Sequence, residues 1–196
     1  MINGIILASK SGVRKKILEQ NKINCIVEAS NIDEDSAKQS FLKKKISPEI
    51  ISKNLAELKA NKISQKRNGY LVLGADSVID LKGEIISKPR NREEALKILS
   101  DLNGQTHHLI SSVCISKNGS MIWNYTDKAS LTMKQMTDEE LKRYLDKISD
   151  EALYAYNIYQ IEGEGRFLFS KIEGDEDTIM GLPIKQIKDY LKNIKL

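Results

Sequence analysis

The chain begins with a short run of consecutive apolar residues. Residues 5 to 8 carry four apolar side chains in succession, a pattern typical of a β-strand that is buried on both faces. After a short loop, Ser11 or Gly12 begins a helix that places Ile17 and Leu18 on one side. A strand covered on both faces needs helices packed against it. The N-terminus therefore predicts a strand–loop–helix unit of an α/β protein.

The rest of the chain continues to alternate between helix and strand signals. Ser47 and Pro48 begin a long helix that is predicted to run to about Gln65, and residues 70 to 79 form a second apolar strand. Further helices are predicted to begin at Asn91, Thr137 and Pro183, and further strands at residues 84 to 86, 106 to 117, 121 to 125 and 129 to 133. No flexible linker interrupts this order. We therefore expect a single domain over residues 1 to 196, with a mixed sheet and two packed lobes around a central cleft.

Composition narrows the classes of partner. The 31 Lys and Arg residues exceed the 27 Asp and Glu residues by only four in 196 residues, which falls short of a nucleic-acid-binding composition. Cys25 and Cys114 are isolated, so neither a disulfide framework nor a zinc site is indicated. An apolar run of about 18 residues, the length that crosses a bilayer, is absent from the sequence. These observations predict a cytoplasmic protein with neither a nucleic acid nor a membrane as partner.

Hydroxyl and basic side chains follow the first strand. Ser9 and Ser11 precede a first helical turn that carries Arg14, Lys15 and Lys16. Basic residues are mildly unfavourable there, because the N-terminus of a helix already carries partial positive charge. An anion bound to the serines and the loop N–H groups would offset this repulsion, and a polyphosphate is the natural candidate. The alternative is a solvated helix start with surface lysines, and neither standard phosphate-binding signature is present.

A carboxylate lies inside the second apolar strand, YLVLGADSVI. Burying Asp76 without a partner would cost several kcal/mol, so the strand predicts a cation beside it. Gly74 and Ala75 leave room for a metal ion or a lysine, and Lys88 follows shortly downstream. The alternative interpretation is a strand-end residue that caps a turn. Residues 33 to 35 form another acidic segment, which is expected to be a solvated loop.

Several segments resemble the Maf family of nucleoside triphosphate pyrophosphatases. LASKSGVRKKIL at residues 7 to 18 resembles the family motif LASxSPRRxxLL, and GADSVI at residues 74 to 79 resembles GADT/SVV. Further matches are NIDE at 31 to 34, LAELKA at 55 to 60, SKPRNREEAL at 87 to 96, LNGQTHHLISSV at 102 to 113, and the block at 159 to 183. Because the matches follow one order over nearly the whole chain, the chain is identified as a member of this family.

The resemblance implies a fold related to the inosine-triphosphate pyrophosphatases, and a homodimer that hydrolyses a nucleoside triphosphate to the monophosphate and pyrophosphate. It assigns Asp76 as the catalytic proton acceptor, and Glu34 and Asp76 as ligands of a divalent cation such as magnesium, manganese or cobalt. The residues that it assigns to the substrate are Ser9, Ser11, Arg14, Lys15, Lys59 and Lys88. Because Arg14 lies at a helix start, its replacement is expected to weaken binding with little effect on folding. A nucleotide-binding regulator of cell division without turnover is the alternative.

Selection of the base is assigned to Val13, Ser77 and Glu162. Val13 and Glu162 replace an Arg and a Gln that are common in the family, and Asn157 replaces a Gly. A carboxylate offers only acceptors, which suits the two adjacent donors of guanine better than the pairing edge of uracil or thymine. Methylation at the seventh position adds positive charge to the ring. We therefore expect 7-methyl-GTP as substrate, with UTP or dTTP as the alternative.

Overall fold

The computed structural model describes residues 4–150, 153 and 158–194. The strands are β1 (Ile5–Leu7), β2 (Ile26–Val27), β3 (Leu71–Leu81), β4 (Glu84–Ile86), β5 (Thr106–Lys117), β6 (Ser120–Met133) and β7 (Phe169–Glu173). The helices of the described residues are α1 (Gly12–Gln20), α2 (Glu34–Lys43), α3 (Pro48–Ser64), α4 (Arg92–Leu102), α5 (Asp138–Lys147), α6 (Glu176–Ile179) and α7 (Ile184–Asn193), and Glu164–Leu168 forms a 3₁₀ helix. The predicted α/β class is confirmed.

The strands form one mixed sheet of seven. Its order is β2-β1-β3-β5-β6-β7, and β4 pairs with the end of β3. β1 runs parallel to both β2 and β3, whereas the β3–β5, β5–β6 and β6–β7 pairs are antiparallel. The N-terminal strand–loop–helix unit therefore belongs to the parallel edge of the sheet, which is followed by the long antiparallel strands β3, β5 and β6.

Local sequence signals begin α1, α3, α4, α5 and α7 within a residue of where they were predicted. The Ser11 hydroxyl caps α1 by accepting a hydrogen bond from the backbone N–H of Arg14 at 3.4 Å. Pro48 is the first residue of α3. At α5, Thr137 and Glu140 form a reciprocal capping box, which satisfies two N–H groups at the helix start. These caps are short-range interactions, so the sequence alone predicts them.

Two predicted features were wrong. Residues 121 to 125 and 129 to 133 belong to one continuous strand, β6, which pairs with β5 along nearly its whole length. The acidic segment at residues 33 to 35 is the start of α2 rather than a solvated loop. Asp33 caps this helix, because its carboxylate accepts a hydrogen bond from the Ser36 backbone N–H at 3.0 Å.

Two apolar regions occupy opposite ends of the same central strands. One contains Ile79 and Leu109 and lies under α4 and α5. At the other end, Leu73 and Val113 pack against α1 and α7, while α3 covers the opposite face of the sheet. Between these regions the strands carry a row of polar residues. This polar row consists of Asp76, Ser77, Ser111, Ser112, Thr126 and Asp127, in the register Asp76–Ser112–Thr126 and Ser77–Ser111–Asp127.

His107 lies in the apolar region at the far end of β5 from α1. Its ring is fully buried, and its Nε2 forms a 2.8 Å hydrogen bond with the Tyr159 hydroxyl. Among the described residues, Nδ1 has no hydrogen-bond partner. Burial lowers the pKa of His107 to about 4, because it penalises the charged ring, and the charge of the neighbouring His108 acts in the same direction. These contacts indicate a structural role for this histidine.

Acidification is expected to destabilise the fold through His107. The unfolded chain binds a proton at this ring near pH 6.5, while the folded chain binds it only near pH 4. Stability is thus retained above pH 6.5 and falls as the pH drops towards 4, by up to about 3 kcal/mol. Chemical denaturation at several pH values measures this, and His107→Gln should flatten the dependence. His108→Gln is the matched control; an unchanged dependence in His107→Gln would refute the assignment.

Candidate active site

Asp76 is the buried acid at the β3 end of the polar row. Its side chain is only 9% exposed, and its carboxylate lies 2.8 Å from the Nζ atom of Lys59. The Ser52 hydroxyl donates a 3.0 Å hydrogen bond to the backbone carbonyl of Asp76. Both partners come from α3, so this helix supplies the cation that the sequence predicted and also fixes the strand beneath it.

Gly74 explains how Lys59 reaches Asp76. A Cβ atom at Gly74 would lie 2.2 Å from the carbonyl oxygen of Ala56 and 2.8 Å from the backbone nitrogen of Ala60. The glycine therefore makes room for the backbone of α3 rather than for an ion. Residues 74 and 76 share one face of β3, so the close approach of the helix at Gly74 brings Lys59 over the carboxylate.

Lys59 binds a second carboxylate on its other side. The Oε2 atom of Glu34, the first residue of α2, is 2.8 Å from Lys59 Nζ and its side chain is 50% exposed. Two carboxylates of very different exposure therefore converge on one ammonium. Burial raises the pKa of Asp76, while the positive charges of Lys59 and Arg14 act in the opposite direction. A carboxylate with a raised pKa is well suited to accepting a proton near neutral pH.

Arg14 connects three parts of the chain. Its Nε donates to the Gly181 carbonyl at 2.9 Å, its Nη1 to the Ala75 carbonyl at 3.0 Å, and its Nη2 to the Ser77 hydroxyl at 3.1 Å. Desolvation lowers the pKa of this guanidinium. The expectation that Arg14 contributes little to folding rested on its position at a helix start, whereas the structure points its side chain back into the protein.

A series of hydrogen-bonded hydroxyl groups, the hydroxyl chain, continues from the Ser77 hydroxyl that Arg14 contacts. The hydroxyls of Ser77 and Ser111 are 2.8 Å apart, and Ser111 donates to the Thr178 carbonyl at 2.7 Å. The Thr178 hydroxyl in turn donates to Asp127 Oδ2 at 2.7 Å. Sequence analysis identified only Ser77 in this group. The others become neighbours through strand register and the position of α6, which no local pattern reveals.

The predicted phosphate-binding residues fall into two groups. Ser9 joins Arg14, whose Nη1 donates to the Ser9 hydroxyl at 3.3 Å, and Ser11 follows directly at the start of α1. Lys15, by contrast, is exposed and lies 3.5 Å from Glu19, one turn along the same helix. The structure therefore brings Ser9, Ser11 and Arg14 to the site and leaves Lys15 on the surface of α1.

Lys88 lies in the segment between β4 and α4. Desolvation lowers its pKa, with a further lowering by the charge of Arg14, while Glu34 and Asp76 oppose the change. A second lysine, Lys38 of α2, has the same kind of surroundings, since desolvation lowers its pKa and Asp76 opposes this. Sequence analysis missed Lys38, because its position depends on a helix that was not predicted.

The three predicted base-selecting residues occupy different surroundings. Val13 packs against the apolar region that contains Leu73, and Ser77 belongs to the hydroxyl chain below Arg14. Glu162 is exposed in a turn before the 3₁₀ helix. In the described part of the chain, no hydrogen bond or ion pair joins Glu162 to the polar row. Asn157 lies outside the described residues.

The predicted metal ligands offer a partial coordination shell. Asp76 and Glu34 supply hard carboxylate oxygens, and both approach the same Lys59 ammonium. Residues 4–150, 153 and 158–194 contain no group of three or more His, Cys, Asp or Glu side chains that would hold a metal ion. This donor set fits a hard ion that uses one or two carboxylates and takes its remaining ligands from phosphate and water.

Comparison with known proteins agrees with the motifs. The family model described as Maf-like protein matches residues 4–194. A nucleoside triphosphate pyrophosphatase of Pelagibacter ubique is 75% identical and covers 100% of both chains, and one of Caulobacter vibrioides is 39% identical over 96% of this chain and 94% of its own. A relative of Bartonella quintana named 7-methyl-GTP pyrophosphatase is 36% identical over 99% of this chain and 97% of its own.

A solved structure gives independent support for the fold. The HAM1 protein from Coxiella burnetii superimposes with a TM-score of 0.52 at 13% identity, covering 98% of this chain and 100% of its own. At this identity the likeness concerns the fold alone. The family match and the full-length relatives carry the assignment, and the chain belongs to the Maf-like protein family.

Proposed function

We propose that this protein is a nucleoside triphosphate pyrophosphatase, which cleaves the bond between the α and β phosphates to release a monophosphate and pyrophosphate. The observation that carries the proposal is the buried Asp76 carboxylate, which pairs with Lys59 and on which the positive charge of Arg14 also acts. The names of the full-length relatives support the same reaction.

The reaction needs a proton acceptor beside the attacking water. In our proposal the Asp76 carboxylate takes the proton as the water oxygen forms a bond to phosphorus. The bridging P–O bond breaks, and the leaving pyrophosphate keeps the electron pair. Arg14 and Lys88 stabilise the negative charge that develops on the phosphate oxygens, so positioning and electrostatics supply most of the catalysis.

Asp76 and Glu34 would hold the divalent cation that this family of reactions requires. When bound, such an ion neutralises phosphate charge and polarises the phosphorus centre. Lys59 would then serve to keep both carboxylates ionised and correctly oriented. Magnesium fits the hard oxygen donors best, with manganese or cobalt as substitutes.

A change at Asp76 tests the proton acceptor. Asp76→Asn keeps the shape of the side chain but removes its charge and basicity, so turnover should fall by about a hundredfold or more while nucleotide binding persists. Pyrophosphate release and calorimetry with a non-hydrolysable analogue measure these two effects. Asp80→Asn is a matched control, because Asp80 is equally buried on the same strand and caps a turn at Gly83. Turnover within a few-fold of the wild type in Asp76→Asn would remove Asp76 from the mechanism.

Pyrophosphate release by the wild-type protein distinguishes an enzyme from a non-catalytic nucleotide-binding protein. A nucleotide-binding regulator would bind triphosphates without releasing pyrophosphate from any nucleotide of a broad panel. Steady release with at least one nucleotide supports the proposed enzyme.

Replacement of Arg14 should affect both folding and binding. Arg14→Ala leaves several partly buried acceptors unpaired, so the free energy of unfolding should fall by on the order of 3 kcal/mol, and affinity for triphosphates should also decrease. Thermal and chemical denaturation measure the first effect. Lys15→Ala, one position along the same helix, should change stability by less than about 0.5 kcal/mol. Equal stability of Arg14→Ala and the wild type would show that these hydrogen bonds contribute little.

We further propose 7-methyl-GTP as the preferred substrate. Glu162 supports this choice, because an exposed carboxylate accepts two donors of guanine and attracts the positive charge of a methylated ring. The name of the Bartonella quintana relative supports the same base. Val13 and Ser77 are proposed to shape the base site around this contact.

The kcat/KM for 7-methyl-GTP should therefore exceed the values for GTP, UTP and dTTP. Glu162→Gln should narrow the gap by about 1 to 3 kcal/mol, the scale of one charge-assisted contact. Glu164→Gln is the matched control, since Glu164 begins the 3₁₀ helix that follows this turn and pairs with Lys147 at 3.3 Å. A preference of the wild type for UTP or dTTP would overturn the base assignment and leave the reaction unaffected.

Homodimer formation and a cytoplasmic location stay predictions from the resemblance and the composition. Every helix of the described residues is too short or too polar to cross a membrane.

A further inference from the structure

Lys38 of α2 places its ammonium beside the loop between β4 and α4. None of the side chains of α2 is fully buried, yet Lys38 is half-buried and its Nζ lies 3.5 Å from the Ser87 hydroxyl. Ser87 directly precedes Lys88 in the segment between β4 and α4. The contact therefore places the Lys38 ammonium next to the loop that carries another cation of the site.

Two residues on one face of α2 point towards the site. Glu34 and Lys38 are four residues apart, so their side chains lie one above the other. Glu34 contacts Lys59 Nζ at 2.8 Å, which fixes that face towards the polar row. Lys38 thus belongs to the face that borders Asp76, whereas Lys43 is exposed in the last turn of α2.

The charge around Lys38 is not neutralised locally. Within the described residues no carboxylate oxygen lies within 4 Å of its ammonium, while Lys59 is shared by two carboxylates. Lys88 is a neighbour of like charge that helps to lower the pKa of Lys38, in addition to desolvation, whereas Asp76, Asp35 and Glu34 act to raise it. Two neighbouring lysines without a close counterion are a favourable site for a multivalent anion.

We propose that Lys38 is a substrate-binding residue that contacts the polyphosphate tail and the departing pyrophosphate. This inference rests on the proposed function of the same site. Lys38 Nζ lies 3.5 Å from the Ser87 hydroxyl, so its ammonium borders the loop that carries Lys88. A phosphate chain bound beside Lys88 would gain an additional contact with this second cation.

Binding of inorganic tripolyphosphate to the full-length protein tests this role without nucleotide or turnover. Lys38→Met keeps most of the length and apolar stem of the side chain but removes the charge, so the Kd measured by calorimetry should rise about tenfold or more. Lys38→Arg should stay within about threefold of the wild type, since it keeps a donor with positive charge. The salt dependence of log Kd should also become shallower in Lys38→Met.

Two control variants separate a phosphate contact from a structural role. Ser87→Ala removes the contact partner of Lys38 without removing charge, and Lys43→Met removes a charge from the exposed end of α2. Both should bind tripolyphosphate within about twofold of the wild type, a change too small for a lost charge-assisted contact. A loss in Ser87→Ala equal to that in Lys38→Met would identify Lys38 as a tether between α2 and the loop, which overturns the proposal.

Turnover of a nucleoside triphosphate then separates the role of Lys38 from the proposed enzymatic activity. Lys38→Met should raise KM more than it lowers kcat. Unchanged tripolyphosphate binding in Lys38→Met, together with normal wild-type turnover, would overturn the role of Lys38 and leave the proposed enzyme intact. Absence of turnover in the wild type, with tripolyphosphate binding that still depends on Lys38, would overturn the proposed enzyme and leave the phosphate contact. A wild type that does not bind tripolyphosphate would overturn the Lys38 proposal.

Discussion

The buried ion pair of Lys59 and Asp76 is the interaction on which the rest of the site depends. An unpaired carboxylate in the middle of β3 would be strongly destabilising, and removing either partner of a buried pair typically costs about 3 to 5 kcal/mol. The pair in turn requires α3 to lie against the strand, which only a glycine at position 74 permits. The packing of α3 on β3 and the charged state of Asp76 therefore depend on each other.

Arg14 extends this constraint to parts of the chain that are distant in sequence. Its hydrogen bonds join the first helix, the central strand and Gly181, which adopts φ +93°. A side chain with Cβ at that glycine would lie 3.0 Å from the Ser77 hydroxyl and would be strained by the backbone angle. The same guanidinium thus orders the strand end, the hydroxyl chain and the approach to α7, which is why a binding role and a folding role coincide in one residue.

Sequence reasoning predicted the parts of the site that depend on local patterns. The apolar strand with an internal acid indicated a cation at Asp76, and the serine and basic residues after β1 indicated that Ser9, Ser11 and Arg14 belong to one site. It did not predict α2, because an acidic segment was interpreted as loop and Asp33 was not recognised as its cap. It also missed Lys38 and Thr178, whose neighbours are set by tertiary packing and strand register.

The continuity of the central strands limits how the protein can adapt to a ligand. β3 spans eleven residues, about 36 Å, and it enters both apolar regions without a break. Because the strand is packed into an apolar region at each end, it resists bending. The two halves of the molecule are therefore not free to undergo hinge closure. Adjustment to substrates of different size is therefore expected from α2, which packs mainly against α3 and has no fully buried residue. The sheet is therefore the rigid part of the site, and α2 is the element that can shift with the least loss of packing.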